Sequence, residues 1–189
     1  MPSVLEQALS FAIVCHEGMV RKSARTPYIL HPLEVACIVG TMTRDEEVMA
    51  AAVLHDVVED TPYTLDDIRE RFGEHVAELV SAETENKRPD LPASSTWRIR
   101  KEESLEELAA ASRDVKMIWL GDKLSNMRSF HRSYTERGSA MWEDFNQKDP
   151  LQQAWYYEQI AELTSELSDE LAWQEYNTLM HIVFEKELS

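Results

Sequence analysis

The stretch Ala50-Ala51-Ala52-Val53-Leu54-His55-Asp56-Val57-Val58-Glu59-Asp60-Thr61-Pro62 decides how the chain is read. It opens as an apolar run of strong helix formers and stops at a proline, which removes a backbone donor. With Asp45 as cap and Glu46 and Glu47 in the first turn, the spacing predicts one helix running through Val58 to the turn before Pro62, its 48–58 stretch apolar on nearly every face and therefore central and buried. Its last turn carries His55, Asp56, Glu59 and Asp60. His55 and Glu59 are four apart, as are Asp56 and Asp60, so adjacent faces of the helix end present all four. A helix C-terminus is partially negative, so these carboxylates repel it and each other. A divalent cation would relieve that repulsion.

Working outward toward the N-terminus, Leu5, Ala8, Leu9, Ala12, Cys15 and Met19 recur at helical spacing, predicting an amphipathic helix from Ser3 to Val20 with His16 as an ordinary histidine near its end. A basic segment follows, Arg21-Lys22-Ser23-Ala24-Arg25, in a chain that is otherwise acidic. Pro32 suits a first helical position, which predicts His31 at the N-cap, placed to act as a fixed ligand.

Toward the C-terminus, Thr64 and Asp67 form a capping box and Gly73 ends a helix. Residues 86–95 show no periodicity and two prolines, which predicts a long loop with Arg98, Arg100 and Lys101 behind it, a candidate lid over an anionic substrate. From Val115 a helical run carries Asp122, Asn126 and Ser129 in line beneath an apolar stripe. Residues 133–148 read as irregular, and Asp149-Pro150 opens the first of two final helices whose aromatic residues read as core packing. No alternating strand pattern and no glycine-rich phosphate loop occurs, so the expected class is all-α.

The chain has 189 residues, with 19 basic against 35 acidic side chains and a formal net charge of −16. One domain is expected over 1–189, with a motif core at about 5–160 and helices in 150–188 packed on it. The charge disfavours nucleic acid and anionic membranes as partners. A small polyanion remains compatible if basic residues or a metal collect locally. Cys15 and Cys37 read as reduced core thiols, and no apolar run approaches a membrane span, so a cytoplasmic location is expected.

His31, His55, Asp56 and Asp122, from three separate helices, make a mixed imidazole and carboxylate set without thiolates. Such a set suits Mn²⁺, Fe²⁺, Mg²⁺ or a catalytic Zn²⁺ with open positions rather than a closed structural zinc site. Glu59 or Asp60 could orient a water and take its proton, and Arg21, Lys22 and Arg25 could neutralise phosphate oxygens. Metal-assisted phosphoester hydrolysis is the reaction class that follows.

Four motifs in order, VRKSARTPYILHP (20–32), AAVLHDVVEDT (51–61), YTLDDIRERFG (63–73) and LGDKLSNMRS (120–129), resemble the hydrolase domain of the Rel/SpoT alarmone enzymes, within the HD metal-dependent phosphohydrolases. The short chain is similar to a stand-alone small alarmone hydrolase. The resemblance implies a compact multi-helix HD bundle with a metal site in its core. It further implies Mn²⁺ held by His31, His55, Asp56 and Asp122, with Glu59 and Asp60 activating water. Arg21, Lys22, Ser23, Asn126 and Ser129 would bind the nucleotide. The implied reaction is removal of the 3′-pyrophosphate from (p)ppGpp, by a monomer or small homo-oligomer with no synthetase domain. Ala24-Arg25-Thr26-Pro27-Tyr28 departs from the family's common Gly-Glu-Pro-Tyr and leaves guanine against adenine open. Alternatives are the same chemistry on (p)ppApp or the phosphate of NADPH, or a non-catalytic alarmone-binding or antitoxin module.

Overall fold

The computed structural model describes residues 2–21, 26–85, 88 and 90–185. Among them run ten α-helices: α1 (Val4–Cys15), α2 (Leu30–Val39), α3 (Glu46–Leu54), α4 (Val57–Asp60), α5 (Leu65–Phe72), α6 (Glu74–Ser81), α7 (Ala93–Ala109), α8 (Arg113–Arg137), α9 (Pro150–Leu163) and α10 (Leu171–Phe184). Two 3-10 turns, Gly138–Asp144 and Ser165–Leu167, join the last three. The described residues contain no strand beyond an isolated Val20–Pro27 bridge, so the chain is all-α as expected.

Helix α3 is the centre of the bundle. Ala50, Ala51, Ala52, Val53 and Leu54 are all 0% exposed, and α1, α2, α6 and α8 pack around them. Removing water from every face of α3 is what allows a run of alanines to hold its place, because small side chains let four neighbours approach at once. The caps foreseen at its start and at α5 form: Asp45 Oδ1 accepts from Glu47 N at 2.9 Å, and Thr64 and Asp67 exchange side-chain-to-backbone hydrogen bonds. Gly73 takes φ +94°, ending α5 and opening α6.

The central helix does not run on to Val58. It stops at Leu54, and α4 begins three residues later. His55 Nδ1 bonds the Ala52 carbonyl at 2.8 Å, the acceptor that a continuing helix would offer to the Asp56 N–H. The His-Asp doublet therefore sits in a break between two helices, not on the face of one. At the N-terminal side, α1 ends at Cys15 and not at Val20, because Gly18 at φ +76° turns the chain back into the Val20–Pro27 bridge. His31 is not an N-cap either. Ile29 holds that position and Pro32 lies third in α2, still within the first turn, where a missing N–H deprives no carbonyl of a partner.

Cys37 is exposed and Cys15 half-buried, so the expectation of two core thiols fails; the core side of α2 is taken by Val35, Ile38 and Val39. Helix α8 runs 25 residues, through 133–137 of the segment expected to be irregular, until Gly138 at φ +57° stops it. The C-terminal aromatic residues pack into the core as read: Trp142 stacks on Phe184 (centroids 5.6 Å, 16° between planes), and Tyr176 Oη donates to the Tyr157 carbonyl at 2.7 Å.

One close approach places the site. A Cβ added to Gly121 on α8 would stand 2.9 Å from Val39 Cγ2 and 3.2 Å from Val35 Cγ1 on α2. The missing side chain lets these helices lie close enough for His31 to face Asp122 and Ser125.

Candidate metal centre

Three elements deliver four ligand-type side chains to one point. The first turn of α2 brings His31, the α3–α4 break brings His55 and Asp56, and the middle of α8 brings Asp122. Ligand atoms of His31, His55 and Asp122 all lie within 4.8 Å of one another. His31 Nε2 is 3.1 Å from Asp122 Oδ1 and 3.6 Å from Asp56 Oδ2, and His55 Nε2 is 3.1 Å from Asp56 Oδ2. Both rings are buried, at 3% exposure. His55 Nε2 is sealed from solvent and makes no hydrogen bond. Two imidazole nitrogens and two carboxylate oxygens converging inside the protein, one nitrogen orphaned, fit a divalent cation of the borderline or hard class.

The electrostatics follow from that crowding. Burial pushes His31 down from the usual histidine range and keeps it neutral, the form that offers a lone pair. Burial also pushes His55 down, but Asp56 and then Asp122 outweigh it, and its pKa is raised to about 10. Asp56 is held below the carboxylate range because His55, then His31, overcome the effect of burial. Lys123 Nζ pairs with Asp122 Oδ2 and, with His31, keeps that buried carboxyl well below its usual range.

Around this centre the remaining sequence candidates separate. Glu59 Oε1 accepts from the Glu85 backbone N–H at 2.5 Å, tying α4 to the segment that follows α6. Asp60 is exposed and lines a cleft of about 360 Å³ with Arg21 and Tyr28. Arg21 Nη2 donates to Asn126 Oδ1 at 2.5 Å, and Asn126 Nδ2 donates to Asp122 Oδ1 at 2.7 Å, so Arg21 is wired to the metal-type cluster. Ser129 is buried and borders, with Arg21 and Asn126, a second cavity of about 250 Å³. Lys22 and Ser23 lie outside the described residues, as do positions 86, 87 and 89 of the expected lid. Behind that segment, Arg100 and Lys101 are tied down on Glu85, with Lys101 Nζ 2.6 Å from Glu85 Oε2.

Several residues beside the site were not assigned to it from the sequence, His16 being read as an ordinary histidine and Lys101 as a flank of the lid. Tyr28 Oη donates to Asp56 Oδ2 at 2.6 Å. His16 is 2% exposed, with both ring nitrogens buried and without hydrogen-bond partners, and its ring lies 5.1 Å from that of Tyr28. Glu83 Oε1 is likewise sealed and unbonded, and burial pushes its carboxyl well above the usual range. Lys101, Lys123 and Tyr156 help wall the smaller cavity, with Lys101 paired to Glu85 and Lys123 to Asp122. Only Tyr28 carried a usable signal, being one helical turn before His31.

An all-α bundle whose helix ends and breaks focus two histidines and two aspartates on a buried point defines a helical metal-site domain of the phosphohydrolase kind. Residues 8–147 match the family described as HD domain, and the chain belongs to that family. Within it the chain is of the Rel/SpoT type. It is 41% identical over 127 residues to the bifunctional (p)ppGpp synthase/hydrolase SpoT of Escherichia coli K12, covering 66% of this chain and 18% of that protein. It is 39% identical over 120 residues to a guanosine-3′,5′-bis(diphosphate) 3′-pyrophosphohydrolase of Haemophilus influenzae, covering 60% of this chain and 17% of that protein. The chain thus spans less than a fifth of these curated relatives. Among solved structures, one described as a metazoan ortholog of SpoT that hydrolyzes ppGpp superposes with a TM-score of 0.75 at 27% identity, over 96% of each chain. The lmo0812 structure from Listeria monocytogenes superposes with a TM-score of 0.71 at 35% identity, over 82% of this chain and 99% of that one.

Proposed function

We propose that this chain is a divalent-cation-dependent phosphohydrolase that removes the 3′-pyrophosphate of (p)ppGpp, giving GDP or GTP and pyrophosphate, with Mn²⁺ as its cation. The observation that carries the reading is the convergence of His31 Nε2, His55 Nε2, Asp56 Oδ2 and Asp122 Oδ1 beside a cleft holding Arg21 and Asp60. The match to Rel/SpoT-type domains supports it. No helix of the described residues is long and apolar enough to cross a membrane; the reading includes a cytoplasmic location, a small nucleotide as partner, and a monomer or small homo-oligomer.

His31, His55, Asp56 and Asp122 would hold the cation. When bound, it lowers the pKa of water and polarises a phosphoryl oxygen. Glu59 and Asp60 orient the attacking water and accept its proton; Asp60, lining the cleft with Arg21, supports that reading. The water oxygen attacks the phosphorus joined to the 3′ oxygen, that P–O bond breaks, and the nucleoside oxygen leaves and takes up a proton. Arg21, with Lys22 and Ser23, binds the phosphates; a guanidinium suits that task because it offers a planar fork of donors. Asn126 and Ser129 face the nucleoside. Arg21, Lys101 and Lys123 border the second cavity, placing cationic groups where a polyanion must approach a chain of net charge −16.

The test is pyrophosphate release with Mn²⁺ across ppGpp, pppGpp, ppApp, pppApp and NADPH, with Asp56→Asn as control. Release from the guanine substrates, abolished in Asp56→Asn, supports the reading. Inactivity of cation-loaded protein on every substrate overturns it, and faster turnover of the adenine substrates or NADPH transfers it to them.

A further inference from the structure

His31 and His55 both turn Nε2 toward the cluster, but their Nδ1 atoms are held differently. His55 Nδ1 meets a backbone carbonyl, that of Ala52. His31 Nδ1 meets a chain of side chains: it lies 2.9 Å from Ser125 Oγ, which lies 2.7 Å from Glu34 Oε2. Glu34 Oε1 accepts from Arg128 Nη1 at 3.0 Å, and Arg128 grips Glu175 through Nε and Nη2 at 2.7 Å each. The order is His31 and Glu34 one turn apart on α2, Ser125 and Arg128 one turn apart on α8, and Glu175 on α10.

Proton counting fixes the direction of this chain. A hydroxyl has one proton to give, and a carboxylate paired with a guanidinium can only accept. Ser125 therefore donates to Glu34 and must accept from His31, so Nδ1 carries a proton and Nε2 is the nitrogen left to offer a lone pair to a cation. If the Nε2 tautomer formed, Ser125 would have to donate to His31 and would face Glu34 with lone pair against lone pair. A bare Nε2 lone pair 3.1 Å from Asp122 Oδ1 is repulsive unless a positive charge lies between them.

We propose that Glu34 and Ser125, braced by Arg128 and Glu175, are positioning residues that set the tautomer and ring orientation of His31. The proposal rests on the reading of His31 as a cation ligand, but the Nδ1 proton it demands is required by Ser125 and Glu34 with or without the cation. A ligand histidine whose other nitrogen is tied to a carboxylate is oriented and made more basic, and loss of such partners lowers metal affinity about 10–100-fold.

The experiment is ¹⁵N NMR of the His31 ring in the metal-free full chain, together with Mn²⁺ binding followed by the EPR signal of the free ion, for the wild type and for Ser125→Ala, Ser125→Thr and Glu34→Ala. Expected are an Nδ1–H ring in the wild type, loss of that fixed tautomer and about 10–100-fold weaker Mn²⁺ binding in Ser125→Ala and Glu34→Ala, and near wild-type behaviour in Ser125→Thr, which keeps the hydroxyl. Circular dichroism of each variant separates unfolding from loss of positioning, and the wild-type spectrum needs no variant. A wild-type ring protonated at Nε2 and bare at Nδ1 overturns the proposal, as does unchanged tautomer and Mn²⁺ affinity in both alanine variants. If the wild type binds no Mn²⁺ yet shows the Nδ1–H ring, the cation reading falls and the positioning chain stands.

Discussion

Tyr28 Oη and Asp56 Oδ2 are 2.6 Å apart, and that same oxygen is the one facing Nε2 of both His31 and His55. Tyr28 also lays its ring against His16 and His31, at 5.1 and 5.9 Å between centroids, so its position is set by packing and its hydroxyl is aimed by that packing. Tyr28→Phe keeps the ring and deletes only the donor. We expect a folded protein with melting temperature little changed and Mn²⁺ binding weakened about tenfold, since Asp56 loses the hydrogen bond that fixes its rotamer. Isothermal titration with Mn²⁺ checks this.

The pH dependence follows from His55. Its pKa, raised to about 10 in the cation-free protein, means that cation uptake must expel a proton. Apparent affinity is then expected to climb about tenfold per pH unit through the neutral range, with about one proton released per cation in weakly buffered solution. Cation-free stability carries two opposite signs. The raised His55 contributes stability that is complete below its ordinary value of 6.5 and lost as pH rises through about 10. Asp56 and Asp122, held low, contribute stability present above their ordinary value of 3.8 and lost as pH falls below it. Melting of the cation-free protein is therefore expected to be highest between these limits, as scanning calorimetry across pH would show.

Gly121 offers a test of the α2–α8 approach. Gly121→Val would drive its branched side chain into Val39 and Val35, which are both 0% exposed and cannot withdraw into solvent. Overpacking of this kind costs about 1–3 kcal/mol, and it acts along the line that sets the distance from His31 to Asp122. Chemical denaturation should register the destabilisation and Mn²⁺ titration a loss of affinity beyond that of a remote core variant. Leu54→Ala is the comparison: it lies on α3, 0% exposed, and is expected to lose about 2–5 kcal/mol.

Glu59→Gln and Asp60→Asn separate proton transfer from cation holding. Neither residue belongs to the four converging donors, so Mn²⁺ affinity is expected to stay within a few-fold of wild type. Turnover should fall about 10²–10⁴-fold for whichever residue accepts the proton. Steady-state pyrophosphate release, read beside Mn²⁺ titration, makes the distinction.

The all-helical class, the central burial of α3, the caps at Asp45, Thr64 and Asp149, and the residues that make the cluster were legible in the sequence. They depend on spacing and on local hydrogen bonding, which a linear pattern carries. The single helix through Val58 was a misreading of the same kind of signal: Ala and Val propensities favour continuation, and nothing in them reveals that the His55 ring will take the Ala52 carbonyl. The two-thiol core failed for a related reason, since Cys37 has an apolar neighbourhood in sequence and an outward face in space.

By itself the sequence determined which side chains could bind a cation and that helices carry the segments around them. Their identity and period are local properties. Only the tertiary structure decided that His31 Nε2 would stand 3.1 Å from Asp122 Oδ1 across 91 residues of chain, and that Glu34, Ser125 and Tyr28 would join the site. Those relations depend on the separation and rotation of α2 against α8. Packing at Gly121 sets that geometry, and it has no signature in the spacing of either helix alone.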